Sequence, residues 1–475
     1  MTRQRLKEEH RVVIDRLAYG GEGVGRLPGE PSEGGGMAVF VPRTAPGDTA
    51  LVRLHTVKRR HAEAEVIAIE QPGPGRRETP CPHFAEGCGG CSWQHLDDAT
   101  QRSAKETMVR DSLERIGGYR DLNFLPIITA DDPFYYRNKM EFAFNARDGL
   151  GFHPKGRWSD VIPVTACQLQ SELAMRIVAC VRTFAEKSGL PLWDPSSSQG
   201  FLRELIVRHG TGTGQTMVGL VTTSGDFSAS ADFVEQLRVL DPGIVSIVRG
   251  IRDGVNDGSP IESASALWGE DAIVERVSGL EFRVGLQTFF QTNTNQAARM
   301  LDTVCAFADL PAGGSDGIVL DVFCGVGFFT LALARRARLA MGVELVEASI
   351  SAARVNAGQN QIENAFFYAG DARHTVPAAI EKHGVPSVVV LDPPRSGAGG
   401  KVMRRIARTQ APRVVYVSCN PTTLARDLKE MEPYGYRITR VQAIDLFPQT
   451  YHIETVVELQ RLDEPTERKG LAVAL

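Results

Sequence analysis

Residues 317–329 read GIVLDVFCGVGFF: an apolar run closed by Asp321, then two glycines one residue apart, then a second apolar run. The first part predicts a buried parallel strand, and FFTLALARRAR beyond it predicts a helix. Gly325 and Gly327 sit at the strand–helix turn, where the missing β-carbons let a ligand approach the backbone. The third glycine of the dinucleotide fingerprint is lacking, which argues against a nicotinamide cofactor. A tight structural turn explains such a loop equally well when it stands alone.

The sequence downstream strengthens the ligand reading. Strand and helix patterns alternate from about residue 286, the mark of a doubly wound α/β sheet. Glu344 closes AMGVEL, where a carboxylate can accept hydrogen bonds from two ribose hydroxyls. Asp371 follows AFFYAG and Asp392 ends PSVVVLD. Four acids at the ends of four successive strands converge on one crevice, which suits a nucleoside-bearing cofactor; S-adenosylmethionine is the best candidate. RVVYVSC, RITRVQAIDLF and HIETVVELQR complete the sheet, the last two joined through FPQTY without a helix. A late antiparallel strand of that kind separates a methyltransferase sheet from a plain dinucleotide-binding one. Gln291 and Asn293, in QTFFQTN, can offer amide contacts to the cofactor. Phe289 and Phe290 beside them read as core, with a wedge for an extruded base as the alternative.

The fourth strand runs into Asp392-Pro393-Pro394-Arg395, a rigid platform. Adenine N-methyltransferases carry an aromatic residue where Arg395 stands, so that chemistry is disfavoured. VVYVSCNP brings Cys419 to the mouth of the sheet. A cysteine in a strand is usually an inert core residue. Residues 401–440, however, hold nine Lys/Arg against three Asp/Glu, a field that favours a thiolate and attracts phosphates unless it is an ordinary solvated face. Glu454, flanked by Ile453 and close to Val456, is expected to be partly buried with a raised carboxyl pKa.

The N-terminal 1–72 segment is all-β, with RVVIDRLA, MAVFVP, DTALVRLHTV and AEVIAIE separated by glycine-rich turns. Five short strands predict an OB-like barrel, either an oligonucleotide binder or a plain structural module. QPGPGRRETP, residues 71–80, reads as a linker. Residues 73–285 mix elements: LDDATQRSAKETMVRDSLERIGG predicts a helix ending at Gly117-Gly118, and FYYRNKMEFAFNARDGLGFHPKG a hairpin turning at Asp148-Gly149. Eight cysteines are too few for a disulfide framework in 475 residues, yet Cys81, Cys88 and Cys91 cluster in CPHFAEGCGGC. With Cys167 as fourth ligand they suit zinc or a [4Fe–4S] cluster, and the alternative is a set of unconnected thiols. Apolar residues at 43% and charged residues at 23% describe a globular protein with real cores. A net charge of -4 leaves nucleic-acid binding to local patches. No apolar run is long enough for a membrane helix, and MTRQRLKEEH lacks a signal-peptide core, so a cytoplasmic location is expected.

DVFCGVG, LDPPRSG, VSCNP and HIETV, in that order and behind a barrel and a cysteine-rich middle, resemble the RNA 5-methyluridine (uracil-C5) methyltransferase family of the TrmA/RlmD type over nearly the whole chain. The resemblance implies a TRAM-like OB barrel over 1–72, a central α+β domain with an iron–sulfur cluster over 73–285, and a Rossmann-like class I S-adenosylmethionine-dependent methyltransferase domain over 286–475. By the same resemblance Gln291, Phe323, Glu344, Asp371 and Asp392 contact the cofactor, Cys419 is the nucleophile and Glu454 the general base. Cys81, Cys88, Cys91 and Cys167 then hold a [4Fe–4S] cluster. The implied partner is RNA, 23S ribosomal RNA before transfer RNA, and the implied enzyme is a monomer. Six residues separate Cys81 from Cys88 where the family has five, and Phe328 stands where a polar cofactor contact is usual.

Uracil C5 is too weak a nucleophile to attack a sulfonium methyl unaided. A thiolate adding to C6 makes C5 nucleophilic, and a base must then remove the C5 proton so that the thiolate can leave. The base must also leave its stack to be reached. Two other readings compete. One is a catalytically silent RNA-binding module, which the intact Cys419, Glu454 and Asp392 argue against. The other is an RNA cytosine-C5 methyltransferase, which calls for different motifs around the nucleophile.

Overall fold

The structure, a computed structural model, describes residues 8–27, 36–255, 259–311 and 313–462. Alternation along EHRVVIDRL, shifted by one residue at an irregularity between Ile14 and Arg16, makes β1 (Glu9–Leu17) a half-buried strand with Val12, Ile14 and Leu17 inward. It closes with β2 (Gly23–Arg26), β3 (Ala38–Val41), β4 (Thr49–Val57) and β5 (His61–Gln71) into a barrel of order β1-β2-β3-β5-β4. Closure removes both sheet edges.

The segment expected to be a linker is a packed strap. Arg76 lies 2.7 Å from the fully buried Asp48 of the barrel, and Gly73 N–H donates to the same carboxylate. A buried acid needs that partner, so the ion pair fixes the barrel to the strap and, through it, to the central segment.

The middle of the chain carries helix Asp98–Asp111, which widens into a π turn over Ser112–Ile116 before Gly117 and Gly118 end it. It then forms β6 (Phe124–Ile128), β7 (Lys139–Asn145), β8 (Gly149–Phe152), β9 (Ile162–Pro163), β10 (Leu202–His209), β11 (Thr216–Thr222), β12 (Ile244–Ile251) and β13 (Ser263–Gly269). The hairpin turns where expected, with Asn145 opposite Gly149. Seven of these strands make one sheet, β13-β12-β11-β10-β7-β8-β9. Helices Glu172–Ser188 and Ser230–Arg238 pack into the core on one of its faces.

After a hairpin of β14 (Ala272–Val277) and β15 (Leu280–Gly285) come β16 (Ile318–Val322), β17 (Leu339–Glu344), β18 (Ala365–Ala369), β19 (Val388–Leu391), β20 (Arg413–Ser418), β21 (Tyr436–Ile444) and β22 (Glu454–Arg461). These strands coincide with the apolar runs read from the sequence. Their sheet has the order β18-β17-β16-β19-β20-β22-β21-β6. β16 to β20 are parallel neighbours, and β22 is antiparallel to both β20 and β21. Both faces are buried, which explains the continuous apolar runs. Val319, Val390 and Val415 point into one core, and Leu320, Leu391 and Tyr416 into the other. The eighth strand, β6, comes from the central segment, which therefore contributes to two sheets. Among the described residues no helix is long and apolar enough to cross a membrane.

Candidate active site

The C-terminal ends of β16, β17, β19 and β20 meet at one crevice. Asp321 is fully buried there; its Oδ2 accepts a 2.6 Å bond from the Thr330 hydroxyl, and its Oδ1 has no partner among the described residues. Burial, with Glu344 nearby, pushes its carboxyl up to about 7. The turn after β16 is tied to the next strand, because Phe323 N–H and Cys324 N–H both donate to the Val343 carbonyl. Phe323 has φ +68, a left-handed conformation disfavoured for a bulky residue. Gly325 has φ +52, and no atom lies within 4 Å of where its β-carbon would stand, so the space over the loop is open. Gly327, at φ +87, would press a β-carbon against Phe367 at 3.2 Å. Glu344 accepts bonds from Gly325 N–H and Val346 N–H, which ties its carboxylate to that loop.

The other expected cofactor residues divide. Burial and the neighbouring Asp321 push Asp392 up to about 7, so the two acids share the crevice. Asp371 sits at its rim, capping helix Ala372–His383 and pairing with Arg373 at 2.5 Å, which holds its carboxyl well below the usual range. The Gln291 carbonyl accepts from Asn138 Nδ2. Asn293 is instead a helix cap whose Nδ2 donates to the Leu446 carbonyl. Phe290 is core, packed with Phe282 and Phe328, whereas Phe289 is 75% exposed. Phe328 belongs to that aromatic cluster, which accounts for the absence of a polar residue at its position.

Cys419 follows β20 and Glu454 opens β22, its antiparallel neighbour. Burial, then Glu454, then Asp392 push the Cys419 thiol up to about 12, with Arg395 acting in the opposite sense. Glu454 is 5% exposed, and burial with Asp392 holds its carboxyl well above the usual range. One thiol and two carboxyls therefore form a single electrostatic cluster faced by one guanidinium. The basic stretch 401–440 does not make the thiol acidic, contrary to its reading in the sequence. Arg413 pairs with Asp309 and Glu458, Arg440 with Glu458, and Arg404 with Glu430. The cation that acts on Cys419 is Arg395, outside that stretch.

Several supporting residues escaped the sequence reading. Asn420 caps helix Pro421–Lys429, and its Nδ2 and the Thr423 hydroxyl both donate to the Arg395 carbonyl. Buried Asp427 accepts bonds from Ala398 N–H and the Tyr416 hydroxyl, both at 2.7 Å, fixing the loop that carries Arg395. Asn420-Pro421 was readable as a cap followed by proline at the first helical position; Asp427 gave no local signal.

The link from β21 to Glu454 is held still more tightly. Five successive carbonyls accept a bond from another part of the chain: Asp445 from Gln296, Leu446 from Asn293, Phe447 from Lys105, Pro448 from Tyr136, and Gln449 from Ser92 N–H and Trp93 N–H. Gln101 and Gln449 bond each other reciprocally. The loop after Cys91 is thus stitched to the strap that leads into Glu454.

Cys81, Cys88, Cys91 and Cys167 line one cavity, walled by Phe84, Met140, Phe152 and Leu169. All four are free cysteines. Burial, with the neighbouring thiols acting in the same sense, pushes Cys88 up to about 11 and Cys91 up to about 12. His83 Nε2 accepts from Thr165 N–H, and Gln168 donates to the Pro80 carbonyl, joining the two cysteine-bearing segments. Among the described residues no three His, Cys, Asp or Glu are grouped as ligands of a single metal ion. Four thiols on one apolar cavity are a donor set that fits an iron–sulfur cluster.

A family model described as tRNA (Uracil-5-)-methyltransferase matches residues 271–462, and a TRAM domain model matches residues 3–67. An uncharacterized RNA methyltransferase of Chlorobaculum tepidum is 35% identical over 450 residues, spanning 90% of this chain and 92% of that protein. One from Caldanaerobacter subterraneus is 35% identical over 456 residues, spanning 95% and 98%. Among solved structures, the Pyrococcus abyssi tRNA (uracil-54, C5)-methyltransferase in complex with S-adenosyl-L-homocysteine is similar at a TM-score of 0.76 and 29% identity. It covers 95% of this chain and 99% of that one.

Proposed function

The chain belongs to the RNA uracil-5-methyltransferase family, with a TRAM domain at its N-terminus, and from that membership we propose a reaction at uridine C5 that runs through a Cys419 adduct. The observation that carries the reading is the cluster of Cys419, Glu454 and Asp392 beside the open loop at Gly325. S-adenosylmethionine, when bound, supplies the methyl group. Glu344 suits its ribose, and the backbone at Phe323, Gly325 and Gly327, with Gln291, Asp371 and Asp392, lines its path.

The Cys419 sulfur, as thiolate, bonds to uracil C6, and the displaced π electrons make C5 nucleophilic toward the methyl group. Once the C5–methyl bond has formed, the Glu454 carboxylate takes the C5 proton. The C5–H electrons restore the C5–C6 double bond, and the C6–sulfur bond breaks. Arg395 favours the ionised form of both groups. Burial favours the neutral form of both, so each must give up its proton to solvent before its step.

Ribosomal RNA is the proposed target class. Transfer RNA is the second reading, supported by the similarity to the Pyrococcus abyssi enzyme. Cys81, Cys88, Cys91 and Cys167 would hold a [4Fe–4S] cluster, in preference to zinc, as a tie between two segments and not as a redox centre. Anaerobically purified protein is expected to be brown, with about four irons per chain; stoichiometric zinc without acid-labile sulfide would overturn that assignment. The function itself is tested by methyl transfer from labelled S-adenosylmethionine to separated ribosomal and transfer RNA, with nucleoside analysis. No 5-methyluridine in either fraction would sink the reading.

A further inference from the structure

The turn between β1 and β2 of the barrel reaches into the catalytic cleft. The Tyr19 hydroxyl donates to the backbone carbonyl of Cys419 at 3.3 Å, across 400 residues of sequence. Its ring packs edge-on against Tyr451, with centroids 5.9 Å apart, three residues before Glu454. The turn itself is pegged. The Gly21 carbonyl accepts a 3.0 Å bond from the buried Trp93 indole, and a β-carbon at Gly21 would come within 2.9 Å of the Tyr451 ring. Lys155 bonds the Gly20 carbonyl and pairs with Glu22 at 2.7 Å. Leu17, Ala45, Trp93, Leu96 and Met108 form one small core beneath, shared by the barrel and the central segment, with Tyr451 of the catalytic part packed against it.

A barrel whose only task was to grip RNA would need none of these contacts. Burial, first of all, raises the Tyr19 phenol to about 12, so it stays a neutral donor at working pH. Its bond is long for O–H···O, so its contribution is a modest one.

We propose that Tyr19 is a positioning residue for the nucleophile: the barrel holds the Cys419 backbone, and seating of the barrel and aim of the thiol are a single structural event. This rests on the uracil-C5 reading of the site. A hydroxyl that orients the nucleophile acts after the base has bound, so its loss lowers kcat and leaves KM alone.

The test compares Tyr19→Phe and Tyr19→Ala with wild type for methyl transfer and for covalent trapping by RNA containing 5-fluorouridine. Tyr19→Phe keeps the ring and its packing. It is expected to melt like wild type, to bind RNA within twofold, and to form the adduct about tenfold more slowly through kcat. Tyr19→Ala, if it folds, is expected to be at least as slow. Wild-type kcat in Tyr19→Phe overturns the proposal, and so does a rise in KM with kcat unchanged, which would mark Tyr19 as an RNA contact. Should wild type itself form no adduct, it is the uracil reading that fails; an adduct in wild type with an unaltered Tyr19→Phe rate sinks the positioning role alone.

Discussion

Lys105 Nζ lies 2.6 Å from Asp445 Oδ1, and the lysine side chain is wholly shielded from water. The pair joins the central helix Asp98–Asp111 to the strap that leads into Glu454. Burial drives the lysine toward its neutral form, and Asp445 opposes that.

Removing one partner of such a pair strands a charge in the interior. Lys105→Met is therefore expected to cost about 3–5 kcal/mol of stability by urea unfolding. Lys105→Met combined with Asp445→Leu should recover most of it. Methyl transfer stays impaired in both, because the Phe447 carbonyl loses its donor. If the double variant is no more stable than the single one, the buried charge is not the source of the loss.

Cys419 and Glu454 fail at different steps. Cys419→Ala forms no covalent complex with RNA and makes no 5-methyluridine. Glu454→Gln is expected to add and to methylate but not to eliminate, leaving methylated RNA attached to the protein. A denaturing gel with labelled RNA should show a retarded band for the glutamate variant only. Normal turnover by Glu454→Gln would assign the proton to another base.

Asp392 and Arg395 act on the thiol with opposite signs. Alkylation of Cys419 by iodoacetamide at pH 9, read on its own peptide, should be faster in Asp392→Asn and slower in Arg395→Gln. The first removes a charge that raises the thiol pKa; the second removes one that lowers it. Equal rates in all three proteins would dissolve the electrostatic cluster.

Asp321 makes stability depend on pH. Its carboxyl stands at about 7 when folded against 3.8 as its ordinary value. The folded protein holds the proton more firmly, so this group destabilises increasingly as pH rises from about 4 to 7, and constantly above that. Asp321→Asn removes the penalty and keeps an oxygen for Thr330. Its gain over wild type in urea unfolding is expected to be larger at pH 8 than at pH 5.5. The same gain at both would mean that the carboxyl does not titrate in that window.

The strands of the catalytic sheet were legible because both of its faces are buried: IVLDV and VVVL have no polar position to blur them save the site acid Asp321. Asp321, Glu344, Asp392 and Cys419 were legible because a parallel sheet presents ligands at its strand ends. The strap from 445 to 449 was not, since its donors lie on remote segments and leave no trace in spacing. The basic stretch misled for a related reason. Three of its cations are tied up in ion pairs, Arg413 and Arg440 by Asp309 and Glu458 outside the window and Arg404 by Glu430 within it. The strap at 71–80 looked like a linker by composition, while the acid that anchors it lies in β4's approach, at Asp48.

β6 also bears on how the protein can be handled. It caps the outer side of β21, pairing Phe124 with Val441 and Ile128 with Ile444, and its exposed Pro126 cannot donate to a further strand. That proline is a guard against edge-to-edge stacking of one molecule on another. A fragment cut at residue 286 would leave β21 bare along its hydrogen-bonding edge, and would tend to aggregate or to borrow β6 from a neighbour.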